Sequence, residues 1–287
     1  MIAVLKHELR LYFHSLMAYV FGAFLLVFIG IGSMLYNLQA AVSNFEYVLS
    51  FSSLVFVVIV PILTMRTLAE ERKQRTDQLI YSLPITTTQV ILGKYFSLLV
   101  VFMIPMLLIS VYPLIFARYG DVYLLTAYAS LFAFFVMGAA LLAVGVFISS
   151  LTDNQGFAAG LGIAFILFNY FSVQLSESVS ATSGGSMIAL LVLILLLGVV
   201  IHFVTRNDTL AMGVSAVLMG AAAVILFVSP ETMEGLLPKL MRELSLFERF
   251  EVFVNGTFDL TAIVYYITFA VFFLFLAVQS LEKRRYN

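Results

Sequence analysis

Few residues in this sequence are equipped for covalent chemistry. Cysteine is absent, which removes a thiol nucleophile, a thiolate metal site and a disulfide framework. Histidines stand only at positions 7, 14 and 202. His7-Glu8 opens like the H-E-x-x-H of a zinc protease, in which two histidines one helical turn apart hold the metal and the glutamate acts as base. Leu11 stands where the second histidine would be, so no metal site is expected. Leu92-Gly93-Lys94-Tyr95 shares only its Gly-Lys pair with a phosphate-cradling G-x-x-x-x-G-K-[ST] loop, so the chain is not expected to bind nucleotide or to be an enzyme.

What remains is docking chemistry, concentrated in Ala69-Glu70-Glu71-Arg72-Lys73-Gln74-Arg75-Thr76-Asp77-Gln78-Leu79-Ile80-Tyr81-Ser82-Leu83-Pro84. Thr76 is placed to N-cap a short helix, with Asp77 favourable in its positive first turn. Thr76, Leu79, Ile80 and Leu83 recur at helical spacing and form one semi-apolar face, and Pro84 ends the helix. Two turns at 1.5 Å per residue give a rod roughly 12 Å long. Thr86 and Gln89 then form a capping box for the next helix. A rod with an apolar face and flanking charge suits a groove on another protein. It equally suits a loop lying on a membrane surface.

The elements that carry this loop are membrane spans. The chain of 287 residues is 62% hydrophobic and only 11% charged. Soluble domains are about half apolar and about a quarter charged, so a soluble enzyme, a disordered chain and a nucleic-acid-binding module are excluded. The expected fold is all-α and polytopic, with about eight spans at 18–36, 48–66, 89–117, 122–149, 156–174, 187–204, 209–229 and 260–281. Residues 2–16 read as an amphipathic surface helix, with Leu5, Leu9, Tyr12 and Leu16 on one face and Lys6, Arg10 and His14 on a neighbouring one. Pro61, Pro105 and Pro113 are expected to kink their helices. Tyr19, Tyr36, Tyr47, Tyr119, Tyr123, Tyr265, Tyr266 and Tyr286 mark an aromatic belt in a chain without tryptophan.

With the N-terminus inside, eleven basic residues fall inside (6, 10, 66, 72, 73, 75, 94, 206, 283, 284 and 285) and four outside (118, 239, 242 and 249). This positive-inside bias places both termini in the cytoplasm. The segment 186–229 is either two spans joined at Thr205-Arg206-Asn207-Asp208 or a re-entrant hairpin. No charged residue is expected near mid-span, and Lys94 and His202 near span ends are expected to snorkel to the surface. This argues against an ion-coupled carrier, which needs intramembrane ionisable groups. Gly156 and Gly160 form a G-x-x-x-G expected to pack a neighbouring helix of the same chain. On the outer side, 231–254 presents Leu237, Leu240, Met241, Leu244 and Phe247 on one face, either as a lid or as an interfacial helix.

The stretch 69–95 resembles the signature of ABC-2 type transporter permeases. It matches at Glu70, Glu71, Arg72, Thr76, Pro84, Leu92, Gly93 and Lys94. It departs at Arg75, where the family carries glycine, and at Gln78, where it carries glutamate. The arginine favours continuous helix through that point, and the glutamine removes a charge available to a partner. Lys6-His7-Glu8-Leu9-Arg10 is similar to the family's surface helix. Ser149-Ser150-Leu151-Thr152-Asp153-Asn154-Gln155 fits its second cytoplasmic loop, and 244–287 resembles the gliding-motility-type subfamily.

The resemblance implies one transmembrane domain over 1–287: a six-helix core with an added hairpin at 186–229, in the bacterial cytoplasmic (inner) membrane. It implies an exporter permease that pairs with itself or with a related permease. Two ATP-binding cassette subunits in trans would hold ATP and Mg, and there is room for an accessory extracytoplasmic subunit. Residues 70–84 would act as the coupling helix, through Glu70, Glu71, Arg72, Arg75, Thr76, Asp77, Leu79, Ile80, Leu83 and Pro84. The surface helix, with Lys6 and Arg10, and the loop residues Asp153 and Asn154 would lie beside it. A non-transport subunit of a motility or envelope machine is the rival from another class.

Overall fold

A computed structural model describes residues 1–76, 85–178, 208–228 and 235–286, together with 191, 194, 195 and 198. The described secondary structure is helical: α1 (Ile2–His14), α2 (Met17–Gly32) continued by a π-helical stretch (Ser33–Gln39), α3 (Glu46–Ser53), α4 (Phe56–Thr64) and α5 (Ala69–Lys73). Then follow α6 (Thr87–Ile109), α7 (Val111–Phe116), α8 (Leu124–Leu151), α9 (Gln155–Ser178), α10 (Asp208–Val228), α11 (Leu236–Leu244), α12 (Leu246–Val254) and α13 (Leu260–Tyr286).

Five stretches are long and apolar enough to cross a membrane: Met17–Gln39, Thr87–Phe116, Leu124–Leu151, Gln155–Glu177 and Leu260–Arg284. The pair α3 and α4, bent by 59°, makes a sixth if it is one span. These six fall on the first five and the last of the expected spans. Of the other two, 187–204 lies outside the described residues except at 191, 194, 195 and 198. The second falls on α10, a helix of 21 residues within which Met212–Val224 is apolar among the described residues. The count of eight is therefore not reached among the described residues.

The chain divides into two compact units, Met1–Tyr170 with Arg249–Asn287, and Phe171–Glu248. In the first, α8 is the axis, with α13, α4, α3 and α6 packed on it. Apolar surface gains little by leaving lipid for another apolar medium, so such helices are held by close contact and buried polar bonds. Gly145 illustrates the close contact. A Cβ there would lie 2.1 Å from Thr64 Oγ1, so only glycine lets the end of α4 reach α8. In the second unit Arg242 donates to Ser176 Oγ and pairs with Glu177 at 3.2 Å.

Several expectations are corrected. The bend in the second span lies at Leu54–Val55, not at Pro61. Ser53 Oγ donates back to the Ser50 carbonyl, and Val55, Val57 and Val58 bond three residues back, a tight 3₁₀ path that turns the chain. Pro105 is carried within continuous α6, whereas the break at Ser110 precedes Pro113, which has no amide to bond Ile109. Gly160 is open to solvent or lipid, with nothing described within 4 Å of its Cβ position; the close contact of α9 is Gly162 against Pro61. Tyr19, Tyr119 and Tyr123 are exposed as a belt requires, but Tyr266 is wholly buried. Ser245, with extended backbone, divides the expected helix 231–254 into α11 and α12, and Leu240 and Leu244 stay exposed.

Candidate functional site

At one end of the first unit the polar groups of five separated segments meet. The nucleus is Lys94, two turns into α6 and 1% exposed. Its Nζ donates to Glu8 Oε1 of α1 at 2.6 Å and to Glu71 Oε1 of α5 at 2.7 Å. Contrary to expectation, this lysine does not snorkel. An ammonium this deep is tolerated because two carboxylates meet it. His202 lies outside the described residues.

The neighbouring glycine explains how α1 comes so near. A Cβ on Gly93 would lie 2.9 Å from Val4 Cβ and 3.2 Å from the Met1 carbonyl. The Leu-Gly-Lys run thus seats α1 by glycine and fastens it by lysine. On α1, Glu8 and Tyr12 face inward while Lys6, Arg10 and His14 are exposed. Leu16, expected on the same face as Tyr12, is 79% exposed, because the helix ends at His14 and Ser15 is extended.

The segment before α5 is fastened to the end of α8. Ser149 Oγ accepts from the amides of Leu68 and Ala69, both at 3.1 Å, and donates to the Met65 carbonyl. A hydroxyl of one helix thereby caps the start of another. The guanidinium of Arg72, buried, donates to the Ser150 carbonyl, to which Ser280 Oγ also donates. Arg284 of α13 bonds the Leu151 carbonyl and Asp153, each at 2.8 Å. The carbonyl end of α8, the negative end of its dipole, is thus covered by two arginines. Thr87 at the start of α6 bonds Glu282 at 2.8 Å.

Glu70 is paired with Arg66, whose pKa that bond raises. Burial raises the pKa of Glu71 above its ordinary value, and Lys94 only partly opposes this. Asn154 Oδ1 accepts from the amides of Gly156 and Phe157 and so caps α9.

Arg75 lies in the left-handed region, with φ of 58°. The amide of Thr76 reaches the Glu71 carbonyl and that of Arg75 reaches Arg72, the paired bonds of a Schellman ending. The helix therefore stops where the family carries glycine, against the expectation of continuous helix. Thr76 Oγ1 also bonds back to the Glu71 carbonyl, so it closes α5. Asp77, Gln78, Leu79, Ile80, Leu83 and Pro84 lie outside the described residues. Of the capping box, the bond from the Gln89 amide to Thr86 Oγ1 is present.

Between α1 and α5 lies a cleft of about 990 Å³, lined by His7, Glu8, Leu11, Arg66, Glu71 and Lys94 among others. The described residues hold no group of three or more histidine, aspartate or glutamate side chains able to bind a metal. Sequence reasoning missed Glu8 as a buried partner, and Ser149, Ser280 and Arg284 as clamps. The available signal was a lysine inside an apolar helix beside glycine, which requires an acidic partner. The pairs Lys94–Glu8, Lys94–Glu71, Arg66–Glu70 and Arg284–Asp153 join residues expected inside, and Arg242–Glu177 joins residues expected outside.

Long apolar helices joined by polar knots define a multi-pass helical membrane protein. Residues 31–183 match the family described as ABC-2 family transporter protein. That is more than half of the chain, which therefore belongs to this family and is a permease component of an ABC transporter. No curated protein matches the sequence.

Proposed function

We propose that this chain is the membrane subunit of an ATP-driven exporter, energised by separate ATP-binding cassette subunits. Two permeases, identical or related, would pair above two ATPases that hold ATP and Mg. Residues 70–84 and α1 would face them from the cytoplasm, where both termini would lie, in a bacterial inner membrane. The observation that supports this best is the knot itself. Glu71 and Arg72, beside the loop expected to couple, are bonded to α6 and to the end of α8. A force on that loop would reach three helices through bonds rather than through slack chain.

The test is co-purification and reconstitution with the cassette ATPase encoded beside the permease. Leu79→Arg with Leu83→Arg is expected to abolish assembly or transport. Assembly and transport left intact would remove the coupling-helix assignment, and transport driven by an ion gradient without ATP would remove the exporter reading. The subfamily resemblance over 244–287 supports a second reading, a motility or envelope machine. Function retained with a hydrolysis-dead ATPase would favour it.

A further inference from the structure

One ammonium serves two carboxylates that belong to different moving parts. Glu8 is on α1, which leads into the first span; Glu71 is on α5, just before the stretch expected to couple. Each carboxylate accepts from Lys94 Nζ at its Oε1, and each contact is as short as a charge-assisted bond. Among the described residues, the other polar side-chain contact of α1 with this region is Tyr12 with Thr67 at 3.5 Å, which is too long to hold it. The remaining fit at Gly93 is apolar contact, which resists pushing but not peeling.

From this geometry we infer that Lys94 is the positioning residue that makes α1 and α5 one lever, so that a load on the loop is shared with the N-terminal helix. The inference rests on the exporter reading for what applies the load, but the tether itself does not depend on it. The link is directional. Losing Glu8 frees α1 and leaves α5 attached, losing Glu71 does the reverse, and losing Lys94 frees both.

The experiment is hydrogen exchange on the full chain in lipid nanodiscs, comparing wild type, Glu8→Gln, Glu71→Gln, Lys94→Met and the triple variant Glu8→Gln/Glu71→Gln/Lys94→Met. The triple leaves no uncompensated buried charge, so it keeps the fold where a single variant could lose it. Amides of 2–14 are expected to exchange about tenfold faster or more in Glu8→Gln, Lys94→Met and the triple, with 260–284 unchanged. In Glu71→Gln, 2–14 is expected to stay within about twofold of wild type. Exchange of 2–14 unchanged in the triple overturns the tether.

With the ATPase present, the triple is expected to assemble at wild-type stoichiometry yet lose about tenfold in transport per ATP hydrolysed. Assembly with normal coupling overturns the lever. If wild type itself binds no ATPase, the exporter reading fails, and the exchange data still decide whether Lys94 holds the two helices.

Discussion

Gly93→Ala sets two physical effects against each other in a single methyl group. Alanine is favoured over glycine inside a helix by about 1 kcal/mol, so α6 alone would gain. The new Cβ, however, would stand 2.9 Å from Val4 Cβ, 3.0 Å from Val4 Cγ1 and 3.2 Å from the Met1 carbonyl. Two of these are atoms fixed to backbone or next to it, so the clash is relieved only by moving α1. Overpacking of this kind costs about 1–3 kcal/mol. Overpacking therefore wins by about 0–2 kcal/mol, and the loss falls on α1, whose Glu8 is drawn from Lys94 as the helix lifts. At about 1.4 kcal/mol per tenfold, amides of 2–14 exchange about fivefold faster near the middle of that range.

The assay is hydrogen exchange with peptide resolution on the purified permease. Gly30→Ala is the control: nothing described lies within 4 Å of its Cβ position, so only the helix gain remains and exchange near it slows or stays level. Val4→Ala added to Gly93→Ala removes the Cγ1 contact and restores part of the protection. If Gly93→Ala alone exchanges like wild type or more slowly, α1 is not seated on this glycine.

Three further outcomes follow from other bonds in the knot. Arg75→Gly relieves a left-handed residue whose conformation costs about 1–2 kcal/mol for an L side chain, so exchange at 75–76 slows; Arg75→Val speeds it. Ser149→Ala strips two buried amides of their acceptor and lowers thermal stability by about 1–3 kcal/mol, while Ser150→Ala, which removes a buried hydroxyl with no described partner, is neutral or stabilising in the same melt. The raised pKa of Glu71 gives a pH dependence of known sign. The folded chain holds that proton more tightly than the unfolded one, so the contribution is full below the ordinary value of 4.5 and is lost as pH rises through the elevated pKa. Protection of 69–76 is thus expected to fall over that window in wild type, and the slope to vanish in Glu71→Gln.

The spans that hold the site could be placed from hydropathy alone, because a membrane helix must be apolar along its whole length. Which charges share an end was also legible, since each described ion pair joins residues expected on the same side. The helix end at Arg75 was not. An arginine carries no local sign of left-handed backbone, and there the surrounding bonds, from Thr76 to Glu71 and from Arg75 to Arg72, outweigh the residue's own preference. Nor was the bend before Pro61, which serine back-bonding and a 3₁₀ path produce rather than the proline.

The sequence by itself determined that this is a helical membrane protein with its charge at the ends of its spans, and which short stretch was worth watching. It did so because burial in lipid constrains every residue of a span in the same way. Only the tertiary structure decided what those charges do. Glu8, Glu71 and Lys94 are separated by 63 and 23 residues along the chain, and no periodicity relates them. They meet because Gly93 admits α1 and Ser149 holds the start of α5, and a buried ammonium is tolerated only where both carboxylates arrive.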